Sequence, residues 1–257
     1  TAIDKKLAEI YYLKNDFSKA ADAYSRFAMG PTANEEDLVK YAFALFLNHD
    51  FAKSLEVANM GLKKNPRHAA FNRLAMYNNT DLKRFEEALK AADVFFNECD
   101  KADYSYLDYM YYGHLLEELK KYDEAVGQYE KAVELDPTKT DLYKNISSAY
   151  EQKNDYKKAI GAYHKYYSSL EKEKQTPDLQ FQLGRLYYGA GTQPDSLTIN
   201  AEERKQALMS ADSVFQVISE AAPDSYLGNF WRARANSALD PETTQGLAKP
   251  FYEEVAA

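Results

Sequence analysis

Along most of the chain, apolar and small residues recur at three- and four-residue spacing, broken at short intervals by polar stretches. That spacing puts the apolar positions on one face of a helix. Leu7, Ala8 and Tyr11 form one such face; Lys14-Asn15-Asp16 interrupts it, and Phe17, Ala20 and Tyr24 form the next. The same order of residue types returns at Asn48-His49-Asp50-Phe51-Ala52-Lys53-Ser54 and at Lys153-Asn154-Asp155-Tyr156-Lys157-Lys158-Ala159. A large apolar residue recurs at Phe17, Phe51, Phe85, Tyr122, Tyr156 and, more loosely, Leu208. Three places later stands a small one: Ala20, Ser54, Ala88, Ala125, Ala159 and Ala211, at gaps of 34, 34, 37, 34 and 52 residues. A second small residue precedes each: Ala8, Ala42, Ala75, Gly113, Ser147 and Gly184, with Ala235 opening a seventh, incomplete copy.

The period has a mechanical meaning. Small residues on facing sides of two helices let the backbones approach, and rings such as Tyr24, Tyr129, Tyr163 and Phe215 fill the volume that remains. Asp16, Asp50 and Asp155 stand just before the second helix of a pair, where a carboxylate accepts free backbone N–H groups and meets the positive end of the helix dipole. Pro66, Pro137 and Pro223 fall near the ends of second helices, as stop signals do.

Composition narrows the picture further. Ten Gly and eight Pro are too few for the many tight turns of a β-sandwich or barrel. The net charge of −8 disfavours long-range attraction to nucleic acid or anionic membranes, so no nucleic-acid partner is expected. Cys99 is the single cysteine, which excludes an intrachain disulfide. His49, His68, His114 and His164 lack a partner at metal-ligand spacing, and no metal or other cofactor is expected. No run of apolar residues approaches a membrane span. Gly189-Ala190-Gly191 is too short for a phosphate loop and lacks its Lys-Ser/Thr. With no triad spacing either, the chain does not read as an enzyme.

A 34-residue helix–turn–helix period with this small/aromatic pattern resembles the tetratricopeptide repeat family. The resemblance covers nearly the whole chain as one domain, with repeats at about 1–34, 35–68, 69–105, 106–139, 140–176 and 177–225 and a partial one at 226–257. The third repeat carries an extra turn residue, and Asn78 stands where Tyr11 and Tyr150 are typical. The sixth carries an insertion near 189–203, around Gly189-Ala190-Gly191-Thr192-Gln193-Pro194-Asp195, where the glycines and the proline fit a flexible loop and Glu202-Glu203-Arg204 a renewed helix. In the seventh, Trp231 with Ala235 gives the preferred register, and Pro250 restricts its second helix to a brief one.

The resemblance implies an all-α, right-handed α-solenoid whose first helices line a concave groove that accepts a peptide or protein segment. By helical geometry the groove strip runs through Lys5, Glu9 and Tyr12; Val39, Phe43 and Phe46; Asn72, Met76 and Asn79; Met110, His114 and Glu117; Lys144, Ser148 and Glu151; Phe181, Arg185 and Tyr188; and Arg232, Asn236 and Leu239. Candidate binding residues are Tyr12, Phe43 and Phe46 at one end and Phe181, Arg185, Tyr188, Arg232 and Asn236 at the other, because Arg and aromatic side chains concentrate binding energy. The groove subtype that clamps a chaperone's C-terminal carboxylate with paired Lys and Asn is not matched: Glu9 follows Lys5 and Ser148 follows Lys144 where an amide is needed. The alternative is an architectural spacer in a larger envelope assembly. The C-terminal stretch Asp240–Glu254 is similar to the ends of exported bacterial repeat arrays, which points to the periplasm or envelope, with the cytoplasm as the alternative.

Overall fold

A computed structural model describes residues 1–99, 103–194 and 199–257. The described residues form α-helices and no strand. In order they are α1 (Ala2–Leu13), α2 (Phe17–Ser25), α3 (Glu35–Leu47), α4 (Phe51–Lys64), α5 (Ala69–Asp81), α6 (Phe85–Asn97), α7 (Tyr106–Glu118), α8 (Tyr122–Leu135), α9 (Leu142–Gln152), α10 (Tyr156–Ser169), α11 (Pro177–Gly191), α12 (Ala201–Ala221), α13 (Tyr226–Leu239) and α14 (Lys249–Ala256). They fall into an N-terminal unit, Thr1–Leu135, and a C-terminal unit, Asp136–Ala257. Within each, the first helix of a pair packs on its second, and that second helix packs on the next pair.

The turn inside each pair explains the repeated polar motif. Asn15, His49, Lys83, Lys120 and Asn154 all adopt left-handed backbone, with φ of 59°, 62°, 58°, 60° and 61°. One such residue follows the end of the first helix, and the next residue stands at the start of the second. Asp16, Asp50 and Asp155 accept the backbone N–H of Lys19, Lys53 and Lys158 at 3.2, 3.3 and 3.3 Å. Arg84 occupies the same place and supplies no cap.

The small residues mark where the two helices of a pair meet. Ala20, Ser54, Ala88, Ala125, Ala159 and Ala211 are all fully buried. Ser54 Oγ donates to the carbonyl of Ala42 and Ser147 Oγ to that of Ala159, both at 2.8 Å. A Cβ placed on Gly113 would lie 2.7 Å from the Tyr129 ring, and one on Gly184 the same distance from Phe215. Tyr129 and Phe215 are themselves fully buried. Truncating such a ring to alanine costs about 3–5 kcal/mol.

The added residues of the sixth repeat differ from a plain loop. Gly189 and Gly191 belong to the last turn of α11, and Ala201–Glu203 already form the first turn of α12. These glycines serve close packing and not a turn: Tyr156 lies against Gly189, and a Cβ on Gly191 would come within 2.6 Å of Leu208 Cδ2. Residues 192–200 connect the two helices; the part of the expected loop at 195–198, including Asp195, lies outside the described residues, as do 100–102 in the third repeat. Pro250 stands in the first turn of α14, where its missing N–H breaks no helical bond. Asp240, buried at the end of α13, accepts the N–H groups of Thr244, Gln245 and Gly246 at 3.0, 3.0 and 2.8 Å and so shapes the loop into α14.

Candidate functional site

In the N-terminal unit, the candidate rings are half-buried. Tyr12 meets Phe17 edge-on at 5.6 Å, and Phe43 packs on the core beneath it. Phe46 touches Phe51, Tyr77 and Tyr111 at 5.8, 5.5 and 6.2 Å, and Tyr77 stacks on Tyr111 at 4.2 Å. This ladder is anchored by a buried carboxylate. Asp108 accepts Tyr77 Oη at 2.6 Å and two guanidinium donors of Arg73 at 2.8 and 3.1 Å. Burial, with the Asp108 charge beside it, pushes the Tyr77 hydroxyl well above its ordinary value, so it remains a proton donor to that carboxylate.

Three strip positions do not face a groove. Asn72, Met76 and Asn79 are buried. Met76 lies in a cluster covered by Phe46, Tyr77 and Tyr111, and the Asn72 amide folds back onto the carbonyls of Pro66 and His68 at 2.9 and 3.0 Å. Rings reaching across from the neighbouring first helices close over the strip there. Lys5 is also engaged, in an ion pair with Asp37 at 2.8 Å.

In the C-terminal unit, Phe181 and Tyr188 come together around Trp231. Phe181 meets Phe215 and Trp231 at 5.6 Å each, Tyr188 meets Trp231 edge-on at 5.3 Å, and Trp231 stacks on Phe215 at 5.4 Å. Arg185, one turn before Tyr188, is exposed, and its contact is with the neutral Gln182 at 3.2 Å. Arg232 and Asn236 point elsewhere. Arg232 forms a bidentate pair with Asp212 at 2.9 and 3.2 Å and lies 4.3 Å over the Phe251 ring, and Asn236 donates to the same carboxylate at 2.8 Å. These two side chains fasten α13 to α12, and Arg232 also reaches α14 through Phe251.

The arginine that does join the rings is Arg234. Its guanidinium sits 4.6 Å over Trp231, 5.1 Å over Tyr188 and 5.9 Å over Phe230. Sequence reasoning missed it and used Trp231 only to set the register of the seventh repeat. The available signal was that Phe230, Trp231 and Arg234 share one face of α13, whereas Arg232 and Asn236 share another.

The sixth-repeat addition also creates a cavity of about 310 Å³ with an apolar floor of Ile160, Tyr187, Ala190, Ile199 and Ala207. The Lys157–Glu203 ion pair, at 3.1 Å, stands on its rim. Among the described residues, no group of three or more His, Cys, Asp or Glu side chains suits a metal ion, and no helix is long and apolar enough to cross a membrane.

Residues 107–139 match the family model described as tetratricopeptide repeat. No curated protein matches the chain. Among solved structures, the C-terminal part of a TPR repeat-containing protein from Cytophaga hutchinsonii is 30% identical, with a TM-score of 0.61, over 84% of this chain and 77% of that one. MamA from Desulfovibrio magneticus RS-1 is 18% identical, with a TM-score of 0.58, over 68% of this chain and 97% of that one. A further MamA structure is 20% identical, with a TM-score of 0.55, over 67% and 92%. The two MamA likenesses speak to fold alone.

Proposed function

The chain belongs to the tetratricopeptide repeat family, and on that premise we propose that it is a protein-interaction scaffold that holds a segment of a partner protein on the ring–arginine surface of its C-terminal unit. Stacked repeats of this kind present extended binding faces. The observation that carries the reading is the cluster of Phe181, Tyr188, Trp231 and Arg234 beside the exposed Arg185. Trp, Tyr and Arg dominate the energetics of protein interfaces because each joins a large flat area to directional donors. Phe43 and Phe46 serve as a second apolar anchor in the N-terminal unit.

The test is capture of the native partner by the wild-type chain and by Arg185→Ala. Arg185 is exposed, so its loss leaves folding intact and is expected to weaken capture about tenfold, the cost of one modest hot spot. Undiminished capture defeats the assignment of this surface.

An architectural role in a larger assembly has its own support. Helix α1 leaves Ile3, Ile10 and Leu13 exposed at 71, 47 and 83%, and their spacing puts them on one face. On that second reading, Ile10→Glu abolishes capture and Arg185→Ala does not.

A further inference from the structure

We infer that the segment held on the C-terminal unit is acidic: it carries Asp or Glu side chains beside an apolar or aromatic residue. The inference rests on the interaction surface proposed above and adds the chemistry of its partner.

Arg234 is half-buried against three rings, and its one recorded polar contact is a long one, Nη2 to Tyr188 Oη at 3.5 Å. A guanidinium offers five N–H donors in a planar fork suited to a carboxylate. Two residues away, Arg232 spends that fork on Asp212 at 2.9 and 3.2 Å. Arg73 does the same with Asp108 in the N-terminal unit. Among the described residues, neither Arg234 nor Arg185 forms an ion pair, and Arg185 bonds to a neutral amide.

Asp212 is neutralised by Arg232 and bonded by Asn236, whereas Glu151 meets only the neutral Gln182 amide, at 3.5 Å. A chain of net charge −8 carries on this surface two guanidinium groups that form no ion pair among the described residues. Partly desolvated guanidinium groups bind carboxylates by charge-assisted hydrogen bonds, which are stronger than neutral ones. The rings beside them accept an apolar neighbour of the carboxylate. A long polyanion such as nucleic acid meets the repulsion of the whole chain, whereas a short acidic segment brings few charges into it. The Lys/Asn carboxylate clamp described above plays no part, since Lys5 is paired with Asp37.

The experiment is selection from a phage-displayed library of random peptides against the full chain. The binding of the selected peptides is then measured by the fluorescence of Trp231, the chain's only tryptophan and a member of the patch. Selected sequences are expected to be enriched in Asp and Glu. Replacing those residues by Asn and Gln should weaken binding at least tenfold, and rising salt should weaken the acidic peptide alone. Arg185→Gln, an exposed change, should weaken the acidic peptide about fivefold and leave its amide counterpart unaffected; Arg234→Gln should do the same, and Arg234→Lys should restore part of the loss.

Selection of uncharged or basic peptides that still perturb Trp231 overturns the acidic preference and leaves the interaction surface standing. Displacement of the selected peptide by a short oligothymidine at equal concentration overturns it in favour of nucleic acid. Failure to select any peptide that perturbs Trp231 overturns both readings.

Discussion

Gly61 and Gly127 both sit inside second helices of the N-terminal unit, α4 and α8, and the same change at each should move stability in opposite directions. Alanine in a helix interior is favoured over glycine by about 0.8–1 kcal/mol. At Gly127 an added Cβ meets nothing within 4 Å, so Gly127→Ala should realise that gain. At Gly61 the Cβ would fall 2.5 Å from both Cδ2 and Cζ of Phe71, a ring with 0% exposure. Overpacking of a closed site costs about 1–3 kcal/mol. The helix gain is common to both variants, so the difference between them isolates the clash. At about 2–4 °C per kcal/mol for a chain of this size, the two melting temperatures should separate by roughly 2–12 °C. Thermal and urea unfolding followed by far-UV circular dichroism measure it, and Phe71→Leu should restore much of the loss at Gly61. Equal shifts in the two single variants would refute the close packing of the Phe71 ring against the α4 backbone at Gly61.

Two further outcomes follow from the same structure. Asp155→Ala removes the acceptor for the Lys158 N–H and should cost about 1 kcal/mol, seen as a lower melting temperature. At Asp240, burial alone would raise the carboxyl, but the N–H donors of Gln245, Leu247 and Gly246 and the Thr244 hydroxyl outweigh it and hold the group below its ordinary value. Its contribution is therefore present above a pH of about 4, the unfolded carboxylate value, and is lost as pH falls through the lower folded value. The protection of amides in residues 241–256, relative to their intrinsic exchange rates, should fall in that acid range, and Asp240→Asn should abolish that fall.

Much of the architecture was legible because each repeat writes the same contact in the same residue types. The small residues at Ala20, Ser54, Ala88, Ala125, Ala159 and Ala211 mark helix–helix contacts, and Asp16, Asp50 and Asp155 mark caps. What periodicity does not carry is how far a side chain reaches. Met76 sits at a strip position yet is buried, because Phe46, Tyr77 and Tyr111 extend over that part of the helix face, and Asn72 is buried with its amide turned back onto the carbonyls of Pro66 and His68. Gly189 and Gly191 read as turn residues in the sequence, since their other use, close contact with Tyr156 and Leu208, depends on partners distant in the chain. Arg232 and Arg234 are separated by two positions, about 200° around a helix. In a repeat as degenerate as the last one, only the acid on α12 decides which of them is tied down and which lies on the rings.

The account's central claim is that the ring–arginine patch of the C-terminal unit is where a partner is held. A photo-reactive phenylalanine analogue placed at Leu227, which is 42% exposed one turn before Trp231 on α13, and separately at Met209, which is 47% exposed on α12, tests it in the native cell. A partner adduct from position 227 and none from 209 is the predicted result. Equal adducts from both positions, or an adduct from 209 alone, would contradict it.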